Sequence, residues 1–283
     1  MIILIENGRL GNQLFQLNYV FKIRKNNEFI ILIGFNSIKK ILKKNFFIIF
    51  VPNFFFLNNF VIKYRYYIIK LIKILKLNTI IYEQKNERII TKYGFISNFR
   101  LVTGFFQNHQ FISSKFIQWI CRDTVFEKIA KKKILDIKKK YNKIIFIHYR
   151  ATDFINWPNK NYPAILPRKW IKKCLKMIYK NNKKILIFTD DISYFKKKIR
   201  LKQEVLHYNE LVDFFIMVNS DEGIISPSTY GWWASYLMKL DNKNSKILAP
   251  KFWAGHKLKK NFPRYINTPK FKYINVSKSD YKN

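Results

Sequence analysis

Between residues 143 and 248, short runs of β-branched and aromatic residues alternate with stretches of helical period. Residues 143–148, 184–188, 204–207, 223–226 and 246–248 read as strands. Residues 169–180, 192–199, 210–218 and 229–240 read as the helices between them. Strands separated by helices are joined by crossovers and lie parallel, so this half predicts an α/β layer architecture. The amino terminus repeats the theme more loosely. A strand at 2–5 leads through a glycine loop, Asn7-Gly8-Arg9-Leu10-Gly11, into a helix with Asn12 as its cap. A second strand follows at 29–33, another at 101–106, and helical signals run from 113 to 140. Residues 38–81 mix lysine and asparagine with apolar runs and give no clear period. Two Rossmann-like halves facing a cleft are the expected fold, with an amino-terminal domain at 1–140, a second at 141–250 and a basic, aromatic tail at 251–283.

Composition narrows the function classes. Of the 283 residues, 54 are Lys or Arg and 17 are Asp or Glu, giving a formal charge of +37. The lysines are spread along the whole chain. Clusters such as Lys131-Lys132-Lys133 and Lys138-Lys139-Lys140 share one expected helix, and read as a solvated face rather than a nucleic-acid arm. No specific nucleic-acid partner is expected, although the charge favours peripheral contact with anionic membrane. Residues 46–62 approach the length of a spanning helix but contain Pro52 and three asparagines, so strand and loop are expected there. Residues 63–76 read as an amphipathic helix packing on its own domain. Cys121 and Cys174 form no Cys-x-x-Cys pair and read as buried thiols, which fits a cytoplasmic, reducing compartment. No residues group as metal ligands.

Four stretches carry candidate chemistry. Gly8 to Asn12 opens a helix, where glycines let a ligand approach backbone; a plain turn explains it equally well. In His148-Tyr149-Arg150-Ala151-Thr152-Asp153, strand alternation puts His148 and Arg150 on one face and Tyr149 on the other. Arg150 suits a diphosphate through its forked donors; alternatively it is a strand-end cation paired with Asp153. Asp190 and Asp191 end a strand, and one of them suits an N-cap for the helix at 192. Ser226-Pro227-Ser228-Thr229-Tyr230-Gly231-Trp232-Trp233-Ala234 joins a strand to a helix. Its hydroxyls and free amides suit phosphate oxygens, and its tryptophans read as core.

In that order and spacing, Gly-x-x-Gly-Asn-Gln-x-Phe at 8–15, His-x-Arg-x-x-Asp at 148–153, Thr-Asp-Asp at 189–191 and Ser-x-Ser-x-x-x-Trp-Trp-Ala at 226–234 resemble the α1,2-fucosyltransferase family. Gly104-Phe105-Phe106-Gln107, Leu166-Pro167, Asp213 with Met217, and Ile247-Leu248-Ala249-Pro250 are further echoes. The resemblance covers the chain apart from residues 25–100 and the tail. It implies a GT-B fold and inverting transfer of L-fucose from GDP-L-fucose to a galactose-containing glycan acceptor, with no cofactor or divalent metal. It implies that Arg150 offsets charge on the leaving diphosphate, that His148 helps hold the nucleotide and that Asp190 reads guanine. Ser228 and Thr229 would contact phosphate, while Gly11 and Asn12 would border the sugar. Asp153 is either the base for the acceptor proton or the partner of Arg150. The chain departs from the family's pattern at Ala151, where a second arginine is usual, at Ser226-Pro227 and at Gly231. Ala151 leaves open a related GDP-deoxyhexose donor. A basic polyanion- or membrane-binding protein with a vestigial cleft is the alternative of a different class.

Overall fold

The computed structural model describes residues 1–51, 60, 63–74, 77–83, 88–94 and 96–281. The chain divides into two compact units, Met1–Arg122 and Asp123–Asn283.

In the first unit, β1 (Ile2–Ile5) leads into α1 (Leu10–Ile23). Then come β2 (Ile30–Ile33), the short α2 (Asn36–Lys39), β3 (Ile48–Phe50), α3 (Arg65–Ile74), β4 (Leu77–Glu83), β5 (Arg88–Lys92), β6 (Ile96–Thr103) and α4 (Ser114–Trp119). The sheet order is β3-β2-β1-β6-β4-β5. All pairings are parallel except β4 with β5 at one edge. Ile2 and Leu4 on one face of β1 are fully buried, and Ile5 on the other is 5% exposed, so apolar side chains are buried on both faces. Residues 46–62, expected as strand and loop, contain β3; positions 52–59 and 61–62 lie outside the described residues.

The second unit opens with α5 (Val125–Lys138), followed by β7 (Lys143–Tyr149), α6 (Arg168–Ile178), β8 (Lys183–Thr189), α7 (Ile192–Tyr194), β9 (Glu204–Leu206), α8 (Glu210–Val218), β10 (Glu222–Ile225), α9 (Thr229–Asp241), β11 (Lys246–Pro250) and β12 (Lys272–Ile274). The sheet is wholly parallel, ordered β12-β11-β10-β7-β8-β9. The order reverses at β7 and β10, the crevice where such sheets bind ligands. Helix α5 packs on α8 and β7, so it belongs to this unit although it precedes residue 141. Most of its lysines are exposed, as expected. The tail contributes β12, which pairs with β11 and extends the sheet.

Side-chain alternation along β7 builds two layers. Ile145, Ile147 and Tyr149 face a core with Leu166, Trp170, Ile171 and Cys174. Burying each large apolar side chain there contributes about 1.5–3 kcal/mol. Tyr149 keeps its hydroxyl satisfied by donating to the Leu166 carbonyl at 2.9 Å. Trp232 and Trp233 are fully buried, so the tryptophans of α9 are core, as expected. Cys174 is buried in α6, whereas Cys121 is only half-buried and lies in a loop after α4. Among the described residues no helix is long and apolar enough to cross a membrane.

Candidate functional site

At the carboxyl end of β7 the chain turns away from the sheet, and backbone groups there lose their ladder partners. Ser226, just beyond β10, replaces them. Its N–H donates to the His148 carbonyl at 2.9 Å, and its hydroxyl accepts the Arg150 N–H at 3.0 Å. Ser226 is 1% exposed, so this tie is shielded from water. The neighbouring β8 ends in register, with Tyr149 opposite Thr189. That register brings Asp190 alongside Arg150.

Asp190 is the hub of the strand end. One carboxylate oxygen accepts the Ala151 N–H at 2.8 Å. The other accepts the Thr152 hydroxyl at 2.6 Å and forms an ion pair with Arg150, 3.0 Å from its Nε. Arg150 Nε also reaches Asp153 Oδ1 at 2.8 Å. Both carboxylates grip the inner nitrogen of the guanidinium, and its two terminal nitrogens hydrogen-bond to no described residue. An oriented fork with free ends suits bidentate binding of phosphate oxygens. Burial raises the Asp153 carboxyl, but the hydrogen bond and charge of Arg150 outweigh it and hold Asp153 below the usual carboxylate range. Asp191 is the N-cap of α7, accepting the Tyr194 N–H at 2.8 Å.

His148 occupies the opposite face of β7 from Tyr149, against the start of α9. Its ring lies 5.5 Å from that of Tyr230. Burial, with help from Arg150, pushes its pKa down to about 4, so the ring is neutral at physiological pH. Nδ1 is buried without a hydrogen-bond partner. Gly231 makes this packing feasible, because a Cβ there would sit 2.8 Å from His148 Nδ1. The departure at Gly231 therefore has a steric reason.

Ser228 is the N-cap residue of α9 but makes no side-chain cap hydrogen bond. Thr229 begins the helix, and the first turn of any helix presents amides without intrahelical acceptors. These groups, His148 and Arg150 share the carboxyl edge of one sheet. Ala151 is fully buried in the core cluster beside Tyr149 and Trp170. In this chain that position contributes a backbone donor and packing volume, and an arginine there would place a charge among apolar side chains.

The first unit gathers a separate polar cluster. Helix α1 begins at Leu10 with Arg9 as N-cap residue, so Asn12 is not the cap expected; it lies inside the first turn. Gly11 is buried in the same turn. Gly8 has φ +84°, a backbone conformation that residues with side chains rarely adopt, and a Cβ there would sit 2.4 Å from Asn12 Nδ2 as that side chain folds over it. Asn12 Oδ1 accepts Gln107 Nε2 at 2.8 Å, joining the first motif to the Gly104–Gln107 echo. Gln13 donates to the Gly8 carbonyl and Gln16 to the Gly104 carbonyl, which fix the loop.

Thr152 and Gln107 are two partners that sequence reasoning gave no role, since neither signals beyond an ordinary polar loop residue. Among the described residues no three His, Cys, Asp or Glu side chains cluster as metal ligands.

The model of glycosyl transferase family 11 matches residues 1–275. A curated relative, the O-antigen biosynthesis glycosyltransferase WbnK of Escherichia coli, is 24% identical over 132 residues, covering 43% of this chain and 43% of that protein. The chain thus matches less than half of that relative's length. The crystal structure of NodZ alpha-1,6-fucosyltransferase soaked with GDP-fucose shares 11% identity, covers 86% of this chain and 96% of its own, and has a TM-score of 0.50. That of POFUT1 in complex with GDP shares 10% identity over 88% and 96%, also with a TM-score of 0.50. These likenesses show the fold, two parallel-dominated Rossmann-like sheets of the GT-B type. With the family model spanning nearly the whole chain, the protein belongs to glycosyl transferase family 11.

Proposed function

We propose that this glycosyltransferase moves L-fucose from GDP-L-fucose to a hydroxyl of a galactose-containing acceptor, with inversion, in an α1,2 linkage, during surface glycan synthesis. The single observation that carries the donor side is Arg150, clamped at Nε by Asp153 and Asp190 with its outer nitrogens free. Solved structures that share the fold were obtained with GDP-fucose and with GDP, which supports a guanosine diphosphate donor.

When the glycosyl bond breaks, negative charge grows on the β-phosphate. A guanidinium already in place stabilises it without reorganisation, an effect worth about 3–4 kcal/mol per donor in comparable sites. The Ser228 hydroxyl and the first amides of α9, with Thr229, add partial positive charge for the phosphates. Neutral His148 contributes through hydrogen bonding rather than charge. With the cation supplied by the protein, the reaction needs no divalent metal and no cofactor.

Asp153 orients Arg150 in this reading. A carboxylate held low by a guanidinium is a poor base, so the acceptor proton leaves late, along a dissociative path. Asp190 already accepts two hydrogen bonds and pairs with the Arg150 guanidinium, which favours its holding Arg150 over reading both donors of a guanine edge. Gly11 and Asn12 in the first unit serve the sugar or acceptor. Ala151 keeps a second donor in view, another GDP-deoxyhexose, because only one arginine stands at this strand end.

The test is product linkage analysis after incubation with GDP-fucose and β-galactosides in the presence of a chelator. A 2-O-fucosylated galactoside is expected. No transfer from GDP-fucose, alongside transfer from a different GDP-sugar, would replace the donor assignment.

A further inference from the structure

The opposite end of the second sheet carries a pocket of about 360 Å³. It lies where α6 and α9 finish and β11 and β12 begin. Its volume falls within the range of small-molecule sites, about 300–1,000 Å³. Lys239, Lys246, Lys270 and Lys272 line it, with no acidic residue among the lining side chains. Lys246, Lys270 and Lys272 make no ion pair with any described residue. The contrast is Lys183, at the same end of the sheet, which is paired with Glu222 at 2.6 Å.

A lysine cluster alone would be a solvated face. Two features separate this one. Ser245, 5% exposed, is one of the residues lining the pocket, and its hydroxyl is buried with no hydrogen-bond partner. A buried hydroxyl left unpaired is destabilising, and a ligand acceptor reaching it would relieve that. The wall beside the lysines is apolar, including Ile178 and Phe271. Lys239 donates to the Ser245 carbonyl at 2.8 Å and to that of Lys243. Burial and then repulsion from Lys270 lower its pKa, a strain that a bound anion would relieve.

We propose that this pocket binds the phosphate group of an amphipathic anion, Ser245 and the four lysines holding the phosphate and the apolar wall holding the adjoining group. The chemistry fits a phosphorylated soluble metabolite or an anionic lipid headgroup. The proposal does not depend on the fucosyl-transfer reading, since the pocket and Arg150 lie at opposite ends of the parallel strands.

Binding of inorganic pyrophosphate, and of phosphatidic acid in phosphatidylcholine vesicles against pure phosphatidylcholine, is measured for the full chain. The variant Lys270→Gln/Lys272→Gln is compared with Lys132→Gln/Lys140→Gln, two exposed lysines, one in α5 and one just beyond its end, whose replacement removes equal charge. The pocket variant is expected to lose at least about tenfold in affinity and the control less than about twofold, with Ser245→Ala losing about fivefold. Pocket-dependent pyrophosphate binding supports the site and assigns a soluble source. Pocket-dependent binding to phosphatidic acid vesicles alone supports it and assigns a lipid headgroup. Equal loss in both double variants, or no binding of either probe, overturns the proposal. Unchanged GDP affinity in the pocket variant keeps this outcome separate from that of the donor site.

Discussion

The two ends of the second sheet handle positive charge in opposite ways. At the carboxyl end, one arginine is restrained by two carboxylates, a serine tie and a buried histidine neighbour. At the amino end, four lysines converge on a pocket without an acid among its lining residues. Both ends attract anions. The restrained end fixes the direction of its donors, which transition-state stabilisation demands. The unrestrained end supplies mainly field, which suits binding but not chemistry. A net charge of +37 therefore says little about mechanism, whereas a single well-held guanidinium says much.

Removing the restrained charge should have the largest effect. Arg150→Ala is expected to lower kcat/KM for donor turnover by at least about 10³, roughly 4 kcal/mol, with an intact fold by circular dichroism. Arg150→Lys should recover only part of this, since a lysine lacks the fork.

Acidity should separate the two ends next. His148 has its folded pKa lowered to about 4 from an ordinary 6.5. The unfolded chain therefore binds more protons between those values. His148's contribution to stability is present above pH 6.5 and is lost as pH falls toward 4. By pH 4.5 the loss is roughly 2–3 kcal/mol. His256, also lowered to about 4 by burial, acts in the same sense. Burial raises Asp213 to about 6, so its contribution runs the other way and offsets part of the loss. Urea titrations at pH 7 and 4.5 should show a smaller drop for His148→Asn than for the wild type.

Gly231→Ala tests the histidine's packing. Alanine usually stabilises a helix over glycine by about 1 kcal/mol. Here the added methyl meets the His148 ring, so a loss of about 1–3 kcal/mol in urea unfolding is expected instead. Ser226→Ala, the smallest change, should cost about 1 kcal/mol of stability and a few-fold in turnover, since the Arg150 N–H loses its acceptor.

The second unit was legible because its signals are local. Helix α8 begins and ends at the residues its period indicates, and β7, β8 and α9 differ by one or two positions. Asp191 took the capping role foreseen for one of the two aspartates. The grip of Asp190 on Arg150 was not legible, because it depends on strand register, which one sequence does not fix. Asn12 misled for a related reason. Its residue type suits a cap, yet its side chain answers Gln107, far along the chain, and the helix starts two residues earlier. The helical signal from 113 to 140 splits in two, α4 and α5, with a break that Thr124 marks by capping the second helix. Residues 38–81 carried no clear period apart from the amphipathic stretch at 63–76, where α3 lies, and the three-residue β3 is too short to show one.

In the proposed mechanism Asp190 acts on the donor through Arg150. Calorimetric GDP affinities of wild type, Asp190→Asn, Arg150→Ala and the double variant test this directly as a thermodynamic cycle. Asp190→Asn is expected to weaken GDP binding about tenfold in the wild type but less than about twofold once Arg150 is alanine. An equal loss in both backgrounds would contradict it and return Asp190 to an independent contact with the nucleotide.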